Sequence, residues 1–184
     1  MDMDFDVAKV LRIRLANSLG LDSYWDIMEK VSKTDISKDK DFQRMFNGFY
    51  KVRRNEEWRK VYYDYFEKIK DKDPTYKEII TYLYENTGFV EASFSSKLLA
   101  TLNSGKPIWD RYVIENLDIK LTGDTAEEKL ANAIEIYQII ENWYEKFLAT
   151  QKAEECIQEF DRVFPDYTMI HPIKKIDTIL WSIR

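Results

Sequence analysis

The chain has 184 residues, 45% hydrophobic and 33% charged, with a formal net charge of −5. That apolar content suffices for one compact domain and excludes a disordered or fibrous chain. A single cysteine, Cys156, and a single histidine, His171, exclude an internal disulfide and a thiolate-built structural zinc site, and leave one imidazole for any Ser-His-Asp arrangement.

In chain order, the start Met1-Asp2-Met3-Asp4-Phe5-Asp6 is acidic where a secretory or mitochondrial leader is basic, which predicts a cytoplasmic protein. Apolar residues at three- and four-residue steps then predict helices over Phe5–Leu19, Tyr24–Val31, Phe42–Val52, Trp58–Ile69, Tyr76–Tyr84, Phe94–Leu102, Ile108–Leu117, Asp124–Thr150, Ala153–Phe164 and Pro172–Ile183. Thr125 with Glu128 has the form of a capping box at the head of the longest. Five Gly and four Pro leave few turns, and they fall between the periodic segments, as at Asp73-Pro74, Thr87-Gly88, Gly105-Lys106-Pro107, Thr122-Gly123 and Phe164-Pro165. Ser32–Asp41 is the least apolar stretch and is expected to be an exposed loop. The expected fold is therefore all-α, about ten helices in a single domain over 1–184, with tentative lobes at 1–72 and 73–184 and a cleft between them. Uncharged runs such as Ala92–Ser96 fall far short of the roughly 18 apolar residues that span a bilayer, so no membrane partner is expected.

Two tracts carry candidate chemistry. Lys51–Lys60 holds five bases, Lys51, Arg53, Arg54, Arg59 and Lys60, against Glu56 and Glu57, with Phe49, Tyr50, Trp58, Tyr62 and Tyr63 interleaved. Cations attract a phosphate backbone and rings stack on unpaired bases. The same pattern also fits a helix that buries its rings and pairs its bases with surface acids, and an isoelectric point near 5.1 argues against indiscriminate DNA binding. The second tract is Gly88–Val113, in which Lys97 on a short helix is followed, after a Gly-Lys-Pro turn, by Pro107-Ile108-Trp109-Asp110 at the head of the next.

The order of lysine, apolar helix, turn, Pro-apolar-apolar-Asp and valine from Lys97 to Val113 resembles the core of the helix-hairpin-helix DNA glycosylase superfamily. The resemblance implies a base-excision protein acting on a flipped nucleotide, with Lys97 attacking the sugar carbon and Asp110 stabilising charge that develops on the sugar. Independently of the family, a desolvated lysine is an amine nucleophile and a carboxylate lowers the barrier beside an electron-deficient carbon. Ser95 and Ser96 are candidate phosphate ligands at a helix start, or local caps. In purely structural terms, Lys97 lies on a polar helix face, Asp110 is a first-turn acid favoured by the helix dipole, and Trp109 belongs to the core.

The remaining candidates read structurally. His171 before Pro172 is a capping or solvated residue, and Cys156 beside Ile157 and Phe160 an inert buried thiol. The eight acids against three bases of Asp124–Glu155 form a solvated face. No metal or cofactor is expected. DNA is the expected partner of the first reading; the alternative is a non-enzymatic helical interaction module whose aromatic side chains anchor a protein partner or self-association. Convergence of Lys97, Asp110 and Arg53 or Arg54 on one concave face separates the two.

Overall fold

The computed structural model describes residues 7–15 and 20–182; the acidic start, the ends of the helix expected over Phe5–Leu19 and the last residues from Ile183 lie outside them. Among the described residues there are ten α-helices and no strand: α1 (Val7–Leu15), α2 (Leu21–Lys30), α3 (Lys40–Tyr50), α4 (Glu56–Ile69), α5 (Tyr76–Thr87), α6 (Ala92–Leu102), α7 (Arg111–Asn116), α8 (Ala126–Leu148), α9 (Gln151–Val163) and α10 (Pro172–Ser182), with a 3₁₀ turn at Pro165–Tyr167. The all-α reading stands.

Local polar chemistry starts most of these helices. The Asp39 carboxylate accepts from the Asp41 and Phe42 amides at 2.9 Å to begin α3, and the Asn55 side chain accepts from the Trp58 amide at 2.9 Å to begin α4. Reciprocal capping boxes open α5 (Thr75 with Glu78) and α8 (Thr125 with Glu128). Gly123 sits at φ 140°, where a β-carbon would lie 2.7 Å from the Lys129 amide, so the turn into α8 admits only glycine.

Ser32–Asp41 is not the freely exposed loop its polarity predicts. Ile36 is fully buried, its amide donates to the Glu67 carboxylate at 2.8 Å, the Gln43 amide nitrogen donates to the Ile36 and Ser37 carbonyls, and Lys70 donates to the Thr34 carbonyl at 2.8 Å. One apolar side chain, with polar groups to satisfy its backbone, pins the segment to α3 and α4.

Phe46 lies 4.6–6.0 Å, centroid to centroid, from the rings of Phe42, Tyr50, Tyr62, Tyr63 and Phe66. Tyr65 stacks on Tyr82 at 3.6 Å to join α4 to α5, and Tyr76 on Tyr137 at 3.8 Å to join α5 to α8. A single apolar cluster takes side chains from both sides of residue 72, and α1 packs against α9 and α10. No helix among the described residues is long and apolar enough to cross a membrane.

Candidate functional site

Seven of the eleven residues of α6 are buried, Ala92, Ser95, Ser96, Leu98, Leu99, Ala100 and Thr101, and the other four are partly buried. Lys97 is itself only partly exposed, so it is not the solvated lysine of the structural alternative drawn from sequence. The Lys97 amine instead donates to the Tyr50 carbonyl at 3.2 Å, at the C-terminus of α3, where the last carbonyls lack helical partners and the dipole favours a cation. Its Nζ lies 5.0 Å from the Phe94 ring centroid and 5.9 Å from that of Tyr50.

The residues after α6 bring Asp110 to the same place. The Trp109 amide donates to Ser96 Oγ at 2.8 Å and the Tyr137 hydroxyl to the Pro107 carbonyl at 2.9 Å, which fastens the non-helical Pro107–Asp110 segment to α6 and α8. α7 begins only at Arg111, so Asp110 precedes the helix rather than occupying its first turn; its carbonyl accepts from the Ile114 amide at 3.1 Å, the bond a residue in the N-cap position makes. Trp109 is buried, as a core residue should be.

Lys97 and Asp110 border one cleft of about 610 Å³, walled by Phe49, Tyr50, Lys51 and Ile108 and, on α10, by Lys174, Asp177, Thr178 and Trp181. Burial pushes the Lys97 ammonium below its ordinary value, and Lys174 pushes the same way; Asp110 and Asp177 pull it back without cancelling the burial. The four α10 residues stand at i, i+3, i+4 and i+7, one face of a helix. Lys174 pairs with Asp177 at 2.6 Å, both largely buried, and its amine lies 5.3 and 5.7 Å from the Tyr24 and Phe49 ring centroids. Burial is also the main reason the neighbouring Tyr24 hydroxyl is pushed up to about 12. At the rim, Lys51 holds the left-handed conformation at φ 56°, strained for a residue with a β-carbon.

The basic tract does not converge on this cleft as a unit. Only Lys51 lines it. Arg53 is exposed outside its lining, and Arg54 is 2.6 Å from the buried Glu91 carboxylate while lying 5.2–5.9 Å from the rings of Phe89, Trp58 and Phe94. Arg59 and Lys60 border a separate, mixed-charge groove of about 990 Å³ with Glu56, Glu57, Lys40, Arg44 and Asp64, where Lys60 pairs with Asp64 at 2.6 Å. Ser95 and Ser96 are fully buried, and Ser96 is committed to the Ser93 carbonyl and the Trp109 amide, so neither serine faces a phosphate in this structure. The cleft therefore unites Lys97, Asp110 and Lys51, and neither Arg53 nor Arg54 joins them, so the convergence that separates the two readings is met by the lysine–aspartate pair and not by the arginines, whose dispersal is what the interaction-module reading expects.

The α10 contribution is absent from the reading of the sequence, although Lys174-x-x-Asp177-Thr178-x-x-Trp181 is a stripe on one face of a helix that is otherwise apolar except for Lys175 and Ser182. The other candidates are placed simply. His171 Nδ1 accepts from the Ile173 amide at 3.2 Å, a capping contact, and its pKa is lowered by burial. Cys156 is buried, which raises its thiol pKa. Glu141 of the acidic stretch is partly buried and pairs with Lys106 at 2.8 Å. Among the described residues, no group of three or more His, Cys, Asp or Glu is placed to hold a metal ion. No family model, curated protein or solved structure matches the chain.

Proposed function

We propose that the cleft belongs to a DNA-handling protein of the base-excision glycosylase type, acting on a nucleotide flipped out of a duplex. The observation that carries this reading is the meeting of Lys97 and Asp110 on one cleft, with the lysine amine desolvated. A volume of about 610 Å³ lies within the roughly 300–1,000 Å³ typical of ligand pockets. Phe49 and Trp181 offer stacking surface, and Lys51 supplies a cation at the rim.

In this reading the Lys97 lone pair forms a bond to the anomeric carbon as the bond from that carbon to the base breaks. The base leaves with the bonding electrons and takes up a proton. Asp110 stabilises the positive charge that builds on the sugar, and ring opening then yields an imine on Lys97. Extrusion is required because the anomeric carbon is otherwise enclosed in the stack.

The test is a fluorescence-anisotropy titration against a duplex with an abasic site and its intact control at two salt concentrations, followed by borohydride reduction to trap an imine. The reading expects salt-sensitive binding that prefers the abasic duplex, and a trapped adduct that disappears in Lys97→Met. Absence of binding at low salt would overturn it and leave the protein-interaction alternative.

A further inference from the structure

Outside the Lys97–Asp110 pair, the cleft has a second carboxylate-bearing wall that the chemistry above does not use. Asp177 is 7% exposed, yet it borders the open cleft. Its Oδ2 is held by Lys174 at 2.6 Å, and the Lys174 amine itself lies 5.3 and 5.7 Å from the ring centroids of Tyr24 and Phe49. A buried ion pair is costly to assemble, and a hydrophobic pair of similar volume often serves stability as well. One helical turn on, Trp181 is 38% exposed at the same cleft although the rest of α10 is largely buried.

We infer that this face of α10 is the specificity-determining wall of the cleft: Trp181 stacks on the extruded base while Asp177 and Lys174 read its edge. The inference rests on the nucleotide reading proposed above and names the base class. A carboxylate accepts from adjacent N–H donors, and an ammonium donates to a carbonyl. Side by side they complement an edge with a carbonyl next to a ring N–H and an exocyclic amine, the guanine-type pattern. An adenine-type edge presents a bare ring nitrogen to the carboxylate and is rejected, because a buried acceptor facing an acceptor loses its hydrogen bond with no water to replace it.

The experiment uses short duplexes that differ only in a one-nucleotide bulge: guanine, inosine, adenine, or an abasic analogue with no base. The unpaired base is cheap to extrude, and the base-free bulge reports the sugar site alone. Anisotropy titrations of the full chain are expected to give guanine at least about tenfold tighter binding than adenine, with inosine, which lacks the exocyclic amine, between them. Asp177→Asn is expected to cut the guanine-to-adenine ratio below threefold. Trp181→Ala, with its fold checked by circular dichroism, is expected to weaken every base-bearing bulge about tenfold and to spare the base-free one.

If the base-free bulge binds better than a fully paired duplex but wild-type protein shows a guanine-to-adenine ratio near one, the wall does not read the base and the inference falls while the nucleotide reading stands. A ratio unchanged in folded Asp177→Asn has the same meaning. If no bulged duplex binds better than the paired one, the nucleotide reading falls and takes the inference with it.

Discussion

Replacing Arg54 with leucine isolates what the arginine contributes. The Glu91 carboxylate is only 5% exposed, and Arg54 Nη2 stands 2.6 Å from its Oε1 at an angle outside hydrogen-bonding geometry, so the contact is chiefly coulombic. Removing one partner of a buried pair strands the other charge at a cost of about 3–5 kcal/mol. The Arg54 side chain is 36% exposed, which admits solvent to the pair and lowers the expectation for Arg54→Leu to roughly 2–3 kcal/mol. For a chain of this size that is a fall of roughly 5–10 °C in Tm.

Arg54→Leu combined with Glu91→Leu removes both charges and is expected to recover stability to within about 1 kcal/mol of wild type, since an apolar pair replaces the ions beside Phe89 and Phe94. Urea denaturation of the four proteins in the cycle measures the coupling. An Arg54→Leu cost below about 1 kcal/mol, or no recovery in the double variant, refutes the reasoning, because it would mean Glu91 is not stranded by the loss of Arg54.

Asp110→Asn keeps the shape of the segment before α7 and is expected to abolish turnover of a lesion-bearing duplex with an unchanged circular-dichroism spectrum; retained turnover would end the catalytic assignment. Because burial lowers the Lys97 pKa below the ordinary 10.5, the unfolded chain binds more protons between the folded and unfolded values. Stability should therefore rise with pH through that window and carry its full penalty below it, and urea midpoints should show this slope lost in Lys97→Met. In the same direction, the yield of borohydride-trapped adduct should rise with pH and level off below 10.5, and a rise that continues past it would mean the reacting amine is not a desolvated lysine. Two tyrosines should respond oppositely to loss of the hydroxyl: Tyr137→Phe, which frees the buried Pro107 carbonyl, is expected to cost about 1–2 kcal/mol, while Tyr144→Phe, whose buried hydroxyl has no hydrogen-bond partner among the described residues, should be neutral or stabilising by about 1 kcal/mol, both read from urea midpoints.

The helices were legible because their signal is local. Periodicity located α3, α4, α8 and α9 within a few residues, and the Thr125–Glu128 box, visible as a pattern, is formed. The matching Thr75–Glu78 box after Pro74 has the same form in the sequence and is also made. Errors arose where tertiary contact overrides local pattern. Ile36, a lone apolar residue among charges, looks solvated until Gln43, Glu67 and Lys70 close around it. Ile108 and Trp109 continue an apolar spacing yet stay outside any helix, because Ser96 and Tyr137 bind the backbone there. The basic tract shows the same limit: the sequence displays five cations, but whether a cation meets a phosphate or a carboxylate depends on Glu91 and Asp64, and Glu91 lies far along the chain from Arg54.

The helix that walls the cleft is also a helix of the core. Ile176, Ile179 and Leu180 of α10 are buried in the same cluster that holds the rest of the molecule, and α10 packs against both α9 and α1. Occupancy of the cleft is thereby linked to global unfolding, not to the ordering of a peripheral loop. A ligand bound at about 100 times its Kd would raise the stability of the whole chain by about 2.7 kcal/mol, so thermal-shift screening can search for the natural ligand without assuming any chemistry.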